Sequence, residues 1–183
     1  DQIADLRFKD IRYLPRSLRE LGESQATVFI FTTTSCPIVR RSWPKLKRLE
    51  AQFRAQGVRF VAINVGPDDE LAEIARQGIE FELEFPLVKD IEGNCQAALG
   101  VERTPEVAVL DRERRLRYRG RIDDELRLGG ERPQATRDDL RIALEEILAG
   151  RAVTVTETPV DGCRITRPAT TTLTKTPTFS RDI

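Results

Sequence analysis

The chain has 183 residues, with 30 Lys and Arg against 30 Asp and Glu, and this zero formal net charge carries no nucleic-acid footprint. A hydrophobic content of 39% suits one globular domain with appendages, and no apolar run is long enough to span a bilayer. Histidine is absent, which excludes Ser-His-Asp and Cys-His catalytic pairs and any His-ligated zinc, copper or haem.

The chain begins at Asp1 and contains no Met, as a processed exported or periplasmic protein would and as a trimmed cytoplasmic chain equally would. The first 25 residues predict a short strand near 6–8 and a helical turn over 18–21. Ala26–Thr32 (ATVFIFT) is a continuous β-branched and aromatic run, the pattern of a strand buried on both faces. A helix over 36–56 follows, with Ile38, Val39, Ser42, Trp43, Leu46, Leu49 and Phe53 as its apolar stripe. Pro37 suits its first turn, Pro44 should kink it, and Gly57 closes it. Residues 58–65 predict a second buried strand, 68–77 a helix stopped by Gly78, 85–88 a short strand and 95–99 a short helix. Glu106–Asp111 and residues 116–122 predict an antiparallel hairpin. The last helix is expected over 136–149, capped by Thr136 and ended by Gly150. Beyond it, 153–155 reads as an edge strand and 167–183, rich in Thr and Pro, as an extended tail, free or wrapped on a partner. The order β-α-β-α-β-β-α predicts an α/β fold with a mixed central sheet flanked by helices over 1–150, then an extension over 151–183 that carries Cys163.

Three cysteines (Cys36, Cys95, Cys163) lie far apart, without C-x-x-C or metal-ligand spacing. Cys36 follows a buried strand and opens a helix, where unpaired N–H groups and the helix dipole favour thiolate, with Arg40 and Arg41 in the next turn. The competing reading is a small buried hydrophobe. Cys163, in a Gly-Cys segment after the last helix, is either a resolving thiol or an idle one. Cys95 reads as packing. The Asp68–Glu70 cluster reads as the first turn of a helix, and 119–124 (RGRIDD) as local ion pairs or a cleft lining.

T-S-C-P-I-V over 34–39, Pro44 eight residues after the cysteine, and Arg103-Thr104-Pro105-Glu106 before a strand resemble the thioredoxin superfamily. TPEVAVLD, YRGRIDD, RDDLRIALEEILAG and TPVDGCRI narrow the resemblance to the peroxiredoxin-like branch of the alkyl hydroperoxide reductase/thiol-specific antioxidant (redoxin) family, over residues 6–165. That resemblance implies a thioredoxin-like fold and a thiol-dependent oxidoreductase or antioxidant peroxidase with no cofactor. Cys36 would be the attacking thiol, Thr33 the peroxide-binding threonine of T-x-x-C, Pro105 the cis-proline and Cys163 the resolving thiol of a disulfide. Thr104, with Arg103 and Glu106 beside it, would bind an extended substrate segment, and Thr33 also reads as a plain strand-end hydroxyl. The implied partners are a thiol reductant and a disulfide or peroxide substrate.

The chain departs from that family pattern at four places. Val39 replaces the second cysteine of C-x-x-C, Phe29 stands where the peroxiredoxin motif has Pro, Pro105 falls on the family's arginine, and Ile30 falls near the buried acid. These departures support the other reading, a thioredoxin-fold interaction subunit of a larger complex that has lost efficient catalysis and binds a protein through its C-terminal tail. A copper chaperone of similar fold would need a second nearby cysteine and a histidine.

Overall fold

The run 26–32 is apolar at every position because both of its faces are covered, and it forms the spine of the molecule. The computed structural model describes residues 2–127 and 130–166. The expected tail over 167–183 lies outside the described residues. In chain order the elements are β1 (Arg7–Asp10), β2 (Pro15–Ser17), a 3-10 turn (Arg19–Leu21), β3 (Ala26–Thr32), α1 (Pro37–Arg54), β4 (Val58–Asn64), α2 (Leu71–Glu80), β5 (Leu87–Lys89) and α3 (Asn94–Leu99). They continue with β6 (Arg103–Thr104), β7 (Glu106–Asp111), β8 (Leu116–Gly120), β9 (Leu126–Arg127), β10 (Gly130–Glu131), α4 (Asp139–Leu148) and β11 (Cys163–Arg164).

Seven strands form one mixed sheet in the order β2-β1-β5-β4-β3-β7-β8. β3 pairs parallel with β4 and antiparallel with β7, so the buried strand sits near the centre. Alternation along each strand divides the core. Val28, Ile30, Phe60, Ala62, Val107 and Val109 point to the α1 and α4 side, with Trp43, Leu46, Leu140 and Leu144. Phe29, Phe31, Val61, Ile63, Ala108 and Leu110 point to the other, against Leu6, Leu18, Cys95 and Leu99. This is the mixed sheet with helices on its faces that the sequence predicts.

Several boundaries differ from the sequence reading, each for a local reason. α2 starts at Leu71 because Glu70 and Glu73 form a reciprocal capping box there. Gly78 lies inside α2, where a Cβ would meet Leu87 at 3.3 Å, so it serves close packing on β5. Thr136 does not cap α4, because its N–H donates to Asp124 Oδ1 at 2.7 Å and its hydroxyl bonds the same carboxylate. No strand forms at 153–155, because Thr154 N–H and hydroxyl donate to Glu146 instead, at 2.9 and 2.5 Å. α1 runs on through Pro44 to Arg54.

Candidate active site

β3 delivers the chain to the sheet's carboxyl edge, and a three-residue loop leads to Cys36, the N-cap of α1. Asp69 pins that loop. Its carboxylate accepts the Thr34 N–H at 2.7 Å and the Thr34 hydroxyl at 2.6 Å, while Asn64 Nδ2 donates to it at 2.7 Å. Asn64 is opposite Thr32 in the β3–β4 register, so the knot ties the loop to both central strands. Gly66 makes room for it: a Cβ there would lie 2.2 Å from Asp69 Oδ2. In the sequence Asp69 reads only as part of a helix turn, because its partner is 35 residues away and no local pattern marks such a contact.

Cys36 is 1% exposed. Its Sγ lies 2.8 Å from Cys163 Sγ and donates to the Thr104 carbonyl at 3.4 Å. Burial pushes the Cys36 thiol up, but the Cys163 thiol, the Val39 amide, the buried Thr104 side chain and the Ile38 amide each favour its thiolate. The net pKa falls below the ordinary thiol value. Cys163 moves the other way: burial, then contact with Cys36, pushes its thiol up to about 11. The two sulfurs therefore have different standing, with Cys36 the readier thiolate and Cys163 the proton holder.

Cys163 reaches Cys36 through strand pairing. β11 lies antiparallel on β6, with Cys163 opposite Thr104 and Arg164 opposite Arg103. The Ile165 N–H donates to Glu102 O at 2.9 Å and Arg103 Nη1 to Gly162 O at 2.9 Å. Gly162 is required, since a Cβ would sit 2.4 Å from the Thr104 carbonyl oxygen. Upstream, Thr158 anchors the same segment. Its hydroxyl contacts Tyr118 Oη at 2.8 Å and accepts the Arg121 N–H at 3.0 Å, and its N–H donates to Arg119 O at 3.1 Å. Val153, 8% exposed, belongs to the α1-side core, so the chain beyond α4 is attached at three successive places.

The Thr104–Pro105 peptide is cis. Thr33 lies in the loop before α1, half-buried, without a hydrogen bond to Cys36. Arg103 holds the Gly162 carbonyl. Glu106, 7% exposed, accepts the Glu102 and Arg103 N–H groups at 3.0 and 3.1 Å, so its carboxylate at the start of β7 supports the preceding β6 segment. Burial raises its pKa against the pull of those two amides. Cys95 is buried on the opposite face of the sheet and donates to Arg7 O at 3.4 Å; burial, then the Asp90 charge, pushes its thiol far up. A cleft of about 190 Å³ adjoins the site between Ile38, Ser42, Pro105 and Val160. Its rim carries Lys45, bound to Asp123 and Asp138. Among the described residues no group of His, Cys, Asp and Glu could hold a metal, and no helix is long and apolar enough to cross a membrane.

The redoxin family model matches residues 15–138. The chain belongs to the redoxin family. Among curated proteins, this redoxin is 28% identical over 111 residues to the thiol-disulfide oxidoreductase ResA of Halalkalibacterium halodurans. That match spans 61% of this chain and 61% of the relative's length. Among solved structures it is similar to a hypothetical protein of Sinorhizobium meliloti 1021, at TM-score 0.82 and 31% identity over 92% of this chain and 93% of that one. An uncharacterized conserved protein of Geobacillus kaustophilus gives 0.79 and 27% over 92% of each chain. A putative thiol:disulfide interchange protein DsbE of Chlorobium tepidum shares the fold, at TM-score 0.61 and 20% identity over 82% of this chain and 94% of that one.

Proposed function

We propose that this redoxin is a thiol-disulfide oxidoreductase that cycles Cys36 and Cys163 between dithiol and disulfide. The observation that carries the reading is the 2.8 Å approach of the two sulfurs at the N-terminus of α1, with Cys36 favoured as thiolate. In the reducing direction the Cys36 thiolate attacks one sulfur of a substrate disulfide. A Cys36–substrate bond forms, the substrate S–S bond breaks, and the first substrate thiolate leaves and takes a proton from water. Cys163 then loses its proton to solvent and attacks Cys36 Sγ, forming Cys36–Cys163 and expelling the second substrate thiolate. An external dithiol restores the pair. Cys163 thus takes the part that Val39, at the second-cysteine position three residues after Cys36, leaves open. Peroxide chemistry has less support, because Arg103 is engaged with Gly162 and Thr33 makes no bond to Cys36.

The test is turnover of a protein disulfide with dithiothreitol as reductant. The expected result is Cys36-dependent turnover, abolished in Cys36→Ser and stalled at a mixed disulfide in Cys163→Ser. Equal rates in all three proteins would overturn the reading.

A further inference from the structure

β6 pairs with β11 alone, in a two-stranded sheet separate from the main one. Thr104 is 1% exposed, so the strap 162–165 covers the backbone edge that leads to Cys36. If that strap lifts, the Glu102 and Thr104 backbone groups lose their partners, and an orphaned strand edge next to a reactive sulfur calls for another strand. Lifting breaks the β11–β6 pairing, the Ile165–Glu102 and Arg103–Gly162 bonds, the Cys36–Cys163 contact and the packing of Cys163 and Ile165 on the core. The Thr158 anchor on β8 holds by bonds of its own, and residues 159–161 join it to the strap.

We infer that the strap is a resident occupant of a docking edge it shares with the substrate: an extended, cysteine-bearing segment of a partner protein displaces it and takes its pairing with β6. The inference rests on Cys36 being the attacking thiol. An incoming segment that takes the register of β11 carries its sulfur opposite Thr104, where Cys163 now stands. The residue before that sulfur meets the Thr104 carbonyl as Gly162 does, where a Cβ would lie at 2.4 Å, so the edge selects a glycine there. Cys163 and the partner's sulfur therefore compete for one place opposite Thr104.

The experiment uses full-length Cys163→Ser, which stops at the mixed disulfide, and three thionitrobenzoate mixed disulfides as probes: the hexapeptides VDGCRI and VDVCRI, and N-acetylcysteine. Thionitrobenzoate release is followed by absorbance, with mass spectrometry to place the adduct on Cys36. VDGCRI is expected to react about tenfold faster than the other two, the factor carried by one or two net backbone hydrogen bonds. Adding Gly162→Val, which unseats the strap, is expected to raise the VDGCRI rate about tenfold, and Arg103→Ala to raise it about threefold. Circular dichroism checks the fold of each variant. Equal rates for the three probes, or peptide rates unmoved by both substitutions, would overturn the shared edge while leaving Cys36 as nucleophile. No adduct on Cys36 with any probe would overturn the reading beneath it as well.

Discussion

Replacing Cys163 by Ala and by Ser separates its two effects on Cys36. Both changes remove the partner sulfur and leave a side chain of similar size, but only Ser retains a donor toward Cys36 Sγ, now 2.8 Å from Cys163 Sγ. A hydrogen bond to a charged group is worth about 1.5–3 kcal/mol, and water competes at half-exposed residue 163, so the lower end applies. That lower end is about one pKa unit at ~1.4 kcal/mol each. Cys36 in Cys163→Ala should therefore titrate about one unit above Cys36 in Cys163→Ser, and at neutral pH its thiolate fraction should be up to tenfold smaller. The assay is the rate of iodoacetamide modification of the Cys36 peptide from pH 5 to 10, read by mass spectrometry. Cys95 does not interfere, because burial keeps it protonated across that range. Coincident titrations, or an Ala variant titrating below the Ser variant, would refute the claim that the Cys163 donor stabilises the Cys36 thiolate.

Asp69→Ala strands Thr34 N–H, the Thr34 hydroxyl and Asn64 Nδ2. It should cost about 2–4 kcal/mol in urea unfolding, and a loss under about 0.5 kcal/mol would mean the knot does not hold the loop. Oxidation of Cys36 and Cys163 closes a separation of 127 residues, so the oxidised protein should be more stable than the reduced one by up to about 5 kcal/mol. Urea midpoints measured with and without reductant check this, and identical midpoints contradict it. Burial raises the pKa of Tyr118, so its neutral form contributes stability that is fully present below its unfolded value of about 10 and lost as pH rises above it. Tyr118→Phe should cost about 1–2 kcal/mol at pH 7 through the Arg121 and Thr158 bonds, yet flatten the alkaline loss. Parallel stability–pH curves for the two proteins would count against it.

The central strands and α1 are legible because their signals are local. A run without polar breaks means two covered faces, and a 3.6-residue stripe from Ile38 to Phe53 means one buried helix face. Cys36 is legible for the same reason, since strand, small residues, cysteine and proline adjoin in sequence. The β1–β2 hairpin escapes notice because its turn is held by Asp10, whose carboxylate accepts the Arg12 and Leu14 N–H groups, inside a charged stretch with no alternation. The α4 start is misread because Thr136 looks like a cap, and only the fold brings Asp124 to it. Cys163 shows in sequence as a Gly-Cys in a segment without periodicity. Its two-residue register on β6 depends on the shape of Gly162 against Thr104, a contact across the whole domain.

The most direct measurement is a redox titration of the native protein. Samples equilibrated across ratios of reduced and oxidised dithiothreitol are alkylated and analysed as non-reduced peptides. The expected result is one two-electron transition in which the Cys36 and Cys163 peptides become disulfide-linked together, while Cys95 is alkylated throughout only after unfolding. Cys36 and Cys163 remaining separately alkylated at every ratio, or Cys36 linking to Cys95, would contradict the pairing at the centre of the site.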